Sequence, residues 1–403
     1  MNKSKVLVLT SSFPKGGGDF GGHFVWELTQ RLMESFDMFV LAPRRFNLES
    51  YSVSGGIKIY RFKQFPIQRI ALADEEPITV RLARNKLYFF VIPFFLFMQF
   101  IALVKLVRKE KIETIHSHWI LPQGLVAACY KKLIHKNVKI LATIHGSDMN
   151  GFNHYLGRLL KRFVLRNVNE LTVVSNALKD EAVKLGYKKN IFVCPMGVDT
   201  KLFAPDKKDE SLRERLKIEG DFILFAGNII ENKGVRFLIE AMPGVVRAFP
   251  DVKLVVAGVG ELKSEMINLA GALEISDHIL FVGAIPHTEM PGYLATADLF
   301  VFPSLFEGFG LALAEAMSCE TLALSSNLKA VNDIIIDNES GLYFEGISST
   351  IISHKIIHTL QNREKYVSLT KKGREHIVSN FDWNIVRKRY ADIFNNNFFH
   401  VVT

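Results

Sequence analysis

Cysteine is scarce in this 403-residue chain, with only Cys129, Cys194 and Cys319. They lie far apart and form no C-x-x-C pair. That argues against a disulfide framework or a structural zinc site and fits a reducing compartment. No internal repeat and no low-complexity run is present. The only apolar run near the N-terminus, Val6 to Leu9, is too short for a signal-peptide core and reads better as a first strand. No Asp-x-Asp falls at the end of an expected strand, so no carboxylate pair is offered to a metal there. Acidic residues are short in one half only. Residues 1–190 carry 29 Lys and Arg against 14 Asp and Glu, whereas residues 191–403 carry 21 against 27. The first half is therefore expected to meet something anionic, such as nucleic acid, an acidic membrane surface or a phosphorylated lipid.

What is present is an alternation of short apolar strands and amphipathic helices. Expected strands are Val6–Thr10, Met38–Ala42, Ile57–Phe62, Thr114–His116, Lys139–Ile144 and Leu171–Val174. Helical spacing occupies Phe24–Met33, Gly124–Leu133 and Tyr155–Leu165, and Ser175 is placed to cap a helix over Asn176–Leu185. The alternation restarts at Phe222–Ala226 after a polar stretch with two prolines, Pro195 to Glu210. It continues through strands Leu254–Ala257, Ile279–Val282 and Leu299–Phe302, and the tail from Ile351 is mostly helical. This pattern predicts two doubly wound α/β domains with parallel sheets.

Leu87 to Val104 is 18 residues without a charge, flanked by Arg81, Arg84 and Lys86 on one side and Lys105, Arg108, Lys109 and Lys111 on the other. Its length suits a spanning helix. Positive charge on both flanks gives no orientation, however, and a crossing would separate the strands on either side of it. A buried helix and a membrane-surface helix are the other readings, with surface contact favoured.

The chemistry concentrates in Ser304 to Cys319, S-L-F-E-G-F-G-L-A-L-A-E-A-M-S-C, after the strand Leu299–Phe302. Glu307, Gly308, Phe309 and Gly310 fall at a strand-to-helix turn, where glycine lets a ligand approach the backbone. The helix start at Leu311 offers unpaired N–H groups. Glu315 lies within an otherwise apolar helix, where an unpartnered carboxylate is costly, so a ligand or a partner is expected. Gly16 to Gly21 fits G-x-G-x-x-G and makes a dinucleotide site the rival reading. The second strand ends in Pro43, Arg44 and Arg45 rather than an acid, so that rival would be an NADP-binding oxidoreductase.

Glu307 and Glu315 reproduce the Glu-x7-Glu signature, and the segment resembles retaining glycosyltransferases of family four. The resemblance runs through His116-Ser117-His118-Trp119, Thr143-Ile144-His145-Gly146-Ser147-Asp148, Gly197-Val198-Asp199, Lys233-Gly234, Gly258-Val259-Gly260 and Gly283 to His287. It implies the GT-B arrangement, two Rossmann-like domains facing a cleft, over residues 1–195 and 196–380, with 381–403 returning to the first domain. It implies transfer of a hexose-like sugar from a nucleotide diphosphate sugar to an acceptor hydroxyl with retained configuration and no metal or other cofactor.

By the same resemblance His145 lies beside the transferred sugar. Lys233, Gly21, Gly22 and the N–H groups of Gly310 and Leu311 meet the diphosphate. Glu307 meets the sugar hydroxyls and Glu315 the ribose, Ile285 lies in the loop whose backbone reads the nucleobase, and Gly260, Gly308 and Phe309 also bind the donor. Asn228 stands where the family usually has Arg, which removes one cation from the diphosphate site. The expected partners are a nucleotide sugar, a glycan or lipid-linked acceptor of polysaccharide biosynthesis and an anionic membrane surface. No nucleic acid is expected. The expected location is cytoplasmic, peripheral on the inner face of the membrane. A non-enzymatic membrane-associated protein on the same fold is the remaining alternative.

Overall fold

The computed structural model describes residues 3–14, 22–45, 48–65, 71–73, 78, 81–82 and 85–399. Gly16 to Gly21 and Arg84 lie outside them. The chain divides into two compact units, residues 1–195 with 386–403, and residues 196–385.

The first unit is built on eight strands: β1 (Lys5–Leu9), β2 (Asp37–Pro43), β3 (Tyr51–Ser54), β4 (Ile57–Phe62), β5 (Thr114–His118), β6 (Lys139–Ile144), β7 (Glu170–Val173) and β8 (Ile191–Val193). Their order is β3-β4-β2-β1-β5-β6-β7-β8. All described neighbours are parallel except β3, which turns back on β4 through Gly55 and Gly56. Central strands are apolar on both faces because helices cover both: β1 buries Val6, Leu7, Val8 and Leu9 completely. Chain direction across the sheet reverses between β1 and β5. Loops leaving their carboxyl ends diverge there and leave a crevice.

The second unit repeats the plan with β9 (Phe222–Ala226), β10 (Lys253–Ala257), β11 (Ile279–Gly283), β12 (Leu299–Phe302), β13 (Ala323–Ser326) and β14 (Leu342–Phe344). The order is β11-β10-β9-β12-β13-β14, all parallel, and the reversal falls between β9 and β12. Helix Val235–Ala248 seals one face with Val235, Leu238, Ile239, Met242 and Val245. The last helix, Trp383–Asn397, passes from the second unit into the first. Its end packs Phe394 on Phe36, with ring centroids 5.3 Å apart, and pairs Arg387 with Glu34 at 2.7 Å.

Helix Ile92–Glu110 is neither sealed in the core nor symmetric. It buries Phe95, Gln99, Leu103, Leu106 and Val107. Leu87, Phe90, Phe94 and Phe97 are exposed, and only 22% of the most apolar window of Lys86–Glu110 is buried. A plain buried helix is therefore not what forms.

Candidate active site

In the second unit the two loops at the reversal are locked together before any side chain acts. Gly234 has φ +64°, and a Cβ there would lie 2.0 Å from the Pro303 carbonyl oxygen. Only glycine permits both the left-handed turn and the close approach. The Leu305 N–H donates to the Asn232 carbonyl at 2.9 Å, tying the loop after β12 to the loop after β9. Lys233 and Glu307 face each other as a result, Nζ to Oε1 2.6 Å. The Ser304 hydroxyl donates to the same carboxylate oxygen at 2.7 Å. Glu307 is 9% exposed and Lys233 23%, so this pair is largely desolvated and held by a third group.

Glu315 is placed separately, within helix Leu311–Ser318, and meets His287 Nε2 at 3.8 Å. Phe203 stands edge-on to that imidazole, with centroids 5.1 Å apart. The two carboxylates of the signature thus have different neighbours. Gly310, at φ +110°, caps the helix that carries Glu315, and its N-terminal turn begins at Leu311. Phe309 is buried against Phe381. Gly260 lies against the loop after β9, since a Cβ on it would stand 2.2 Å from the Ile229 oxygen. Asn228 is exposed on that loop, and Ile285 is buried in the one after β11.

In the first unit the reversal gathers rings instead. His118 closes β5 and His145 follows β6, with His118 Nδ1 and His145 Nε2 3.0 Å apart. One imidazole must donate and the other accept, so at least one of them is neutral. Burial pushes His116 and His145 down to about 3 and His118 well below its usual value. Phe24 and Trp119 cover His145, with centroids 5.1 and 4.9 Å away. Asp148 positions the turn: it accepts the N–H groups of Ile120 at 2.8 Å, Gly146 at 3.0 Å and His145 at 3.2 Å. Gly22 abuts the loop after β1, where a Cβ would stand 2.3 Å from the Ser12 oxygen. Gly21 is outside the described residues.

Ser304, His287, Phe24 and the Asp148 clamp were not singled out as contacts by motif spacing. Phe24 and His287 act on residues distant in sequence, Asp148 reaches both the neighbouring turn and Ile120, and Ser304 lies three residues from Glu307. Arg44 and Arg45 are not set out for a 2′-phosphate: Arg44 Nε donates to the Leu48 carbonyl at 2.6 Å, and Arg45 is buried.

Comparison with known proteins divides the chain a few residues further on. Residues 21–202 match the Glycosyltransferase Family 4 model, and residues 206–376 match Glycosyl transferases group 1. One relative is the GDP-mannose-dependent alpha-(1-6)-phosphatidylinositol monomannoside mannosyltransferase of Mycobacterium tuberculosis. It is 23% identical over 98% of this chain and 99% of its own length. The phosphatidylinositol N-acetylglucosaminyltransferase GPI3 subunit of Saccharomyces cerevisiae is 25% identical over 81% of this chain and 75% of its own. Among solved structures, sucrose-phosphate synthase from Thermosynechococcus elongatus superposes with a TM-score of 0.80 at 19% identity, covering 98% and 99% of the two chains.

The chain is a glycosyltransferase of the GT-B fold. Within that class it is family-four-like. The oxidoreductase alternative finds no support in these comparisons.

Proposed function

We propose that the protein transfers a sugar, with retained configuration, from a nucleotide diphosphate sugar to a hydroxyl of a lipid-carried acceptor at the inner face of a membrane. The observation that carries the chemistry is the Lys233–Glu307–Ser304 arrangement at the β9/β12 reversal. An ammonium has three donors. One bond to Glu307 leaves the others for the departing diphosphate, where fixed positive charge lowers the barrier. Both bonds to Glu307 fall on Oε1, so among the described residues Oε2 is open to a sugar hydroxyl. The helix N-terminus at Leu311 adds N–H groups, so charge can be neutralised without a metal. Glu315, set apart with His287, takes the ribose. His145, neutral and able to accept or donate, lies on the acceptor side. As the bond from the sugar's anomeric carbon to the diphosphate oxygen breaks, the acceptor oxygen bonds to that carbon on the same face and its proton passes to the leaving phosphate. Asn228 contributes a hydrogen bond and no charge, which places more of the electrostatic work on Lys233.

The membrane part of the reading rests on the exposed phenylalanine stripe, on the basic first half and on lipid-named relatives over most of the chain. The test is a hydrolysis and transfer screen over UDP-, GDP- and ADP-sugars with anionic vesicles as the acceptor source, run with and without EDTA. One donor should be turned over equally in both conditions. Loss of turnover in EDTA that manganese restores would overturn the metal-free reading, and silence across all donors would overturn the enzymatic one.

A further inference from the structure

The helix Ile92–Glu110 is one of three side by side. The connections β4 to β5, β5 to β6 and β6 to β7 step the same way across the sheet, so right-handed crossovers put their helices on one face. Helix Leu125–Leu133 packs between helix Ile92–Glu110 and helix Tyr155–Asn167. Each runs antiparallel to the strands, so all three N-termini lie at the strands' carboxyl end, the end of His118 and His145.

Helix Tyr155–Asn167 has a two-sided pattern of its own. Gly157, Lys161, Val164 and Leu165 are buried. Tyr155 (77% exposed), Leu156 (59%) and Leu159 (41%) form an apolar cluster in its first turns, and Arg158, Arg162 and Arg166 are exposed beside and beyond it. An amphipathic helix covered only by its own layer should not present three large apolar side chains together. From residue 86 to residue 169 the chain carries 13 Lys and Arg against 3 Asp and Glu.

This second helix is also tied to the turn that holds His145. A Cβ on Gly157 would lie 1.8 Å from the Phe152 oxygen, so the helix start presses on the loop following Asp148. Buried Lys161 donates to the Met149 carbonyl at 2.6 Å and to Asn153 Oδ1 at 2.9 Å. Between those two helices, helix Leu125–Leu133 buries Val126, Ala127, Ala128 and Tyr130 and exposes Leu133 at its far end.

We infer that Tyr155, Leu156 and Leu159, with Arg158, Arg162 and Arg166, form a second membrane-contact face that docks on an anionic bilayer together with the Leu87–Phe97 stripe. This rests on the membrane reading above and names where the rest of that contact lies. Two helices flanking a third stand roughly 20 Å apart, from axis spacings of about 8–10 Å. Two-point docking fixes the orientation of the unit on the surface, which a single helix leaves free, and it multiplies retention as linked sites do. Apolar side chains would enter below the headgroups while the arginines meet the phosphates.

Flotation with phosphatidylglycerol-containing vesicles, and with phosphatidylcholine alone, tests this on the full chain. Wild type should float with the anionic vesicles. Changing Tyr155, Leu156 and Leu159 together to Ser should lower the partition coefficient about tenfold or more with the phenylalanine stripe intact. Arg158→Gln with Arg162→Gln and Arg166→Gln should do likewise and weaken the salt dependence. All six positions are exposed, so melting temperatures should stay near wild type, and a Tyr155→Trp protein should blue-shift on vesicle addition. Wild-type flotation by both triple variants would overturn this inference and leave docking to the Leu87–Phe97 stripe. If wild type itself fails to float, the membrane reading falls and this face falls with it.

Discussion

Both units use the same topological position, the point where strand order reverses, and fill it with opposite chemistry. In the second unit Lys233 and Glu307 meet at 2.6 Å across the β9/β12 reversal. In the first unit the elements around the β1/β5 reversal bring together neutral rings, His118, His145, Phe24 and Trp119. The surfaces run the other way. The half carrying 29 cationic and 14 anionic residues has the uncharged cluster, and the half carrying 21 and 27 presents the lysine. Net charge therefore governs what a domain meets at long range, while the charge that acts at bonding distance is set by which loop is locked to which. A neutral imidazole tolerates full burial, whereas a buried cation needs a partner such as Glu307.

The largest effect should come from removing the lysine. Lys233→Ala is expected to lower kcat/KM by on the order of 100- to 1,000-fold, the usual consequence of deleting one donor aimed at developing charge. Steady-state kinetics on the donor found in the screen measure it, with circular dichroism confirming the fold. Rates near wild type would erase the proposed contrast between the units, because no acting charge would then distinguish the second.

The histidine cluster makes the other side of the comparison measurable as stability against pH. His116 and His145 are held at about 3 and His118 well below its usual value, against an unfolded value near 6.5. The unfolded chain therefore binds more protons than the folded one below about pH 6.5, and stability falls as pH drops through that window. Each proton adds a slope of about 1.4 kcal/mol per pH unit. Asp148 opposes this in part: burial raises its carboxyl, so protonation relieves a desolvation penalty at the acid end of the range. Denaturant unfolding from pH 7.5 to 5 should show wild-type stability declining, and His116→Asn should flatten the slope by about one proton. A slope unchanged in that variant would mean His116 is not buried neutral.

Much of this fold was legible because period and punctuation agree. Ile57–Phe62, Lys139–Ile144, Phe222–Ala226 and Leu299–Phe302 are strands at the bounds their apolar runs predict, and Ser175 caps its helix through the Leu178 N–H. The strands that escaped are β3, β8, β13 and β14. Tyr51–Ser54 is an edge hairpin strand with exposed Tyr51 and Val53, Ile191–Val193 and Leu342–Phe344 have three residues each, and Ala323–Ser326 ends in two serines. Short runs carry too little periodicity to be told from loops. Expected ligand positions such as Lys233 and Glu307 could be read from motif spacing. The groups that hold them could not, because Ser304, His287 and Asp148 owe their roles to hydrogen bonds and packing that only the folded chain brings together.

The smallest effect sharpens that last point. Ser304 is fully buried and donates to Glu307 Oε1 at 2.7 Å. Ser304→Ala removes one bond to a carboxylate that keeps its lysine, a loss of about 1–2 kcal/mol and so roughly a tenfold fall in kcat/KM. The substitution is small and apolar at a buried site, so stability should change by no more than about 2 kcal/mol. If Ser304 aims Glu307 at the sugar, the deficit should appear in transfer from the intact donor, while affinity for the free nucleoside diphosphate, which lacks the sugar, stays at the wild-type level. Titration of the diphosphate by calorimetry beside the transfer kinetics separates the two. An equal loss in both would mean that the hydroxyl merely keeps the loop after β12 in place. The distinction between a loop that is locked and a carboxylate that is aimed would then have to be drawn at Gly234 and Asn232 instead.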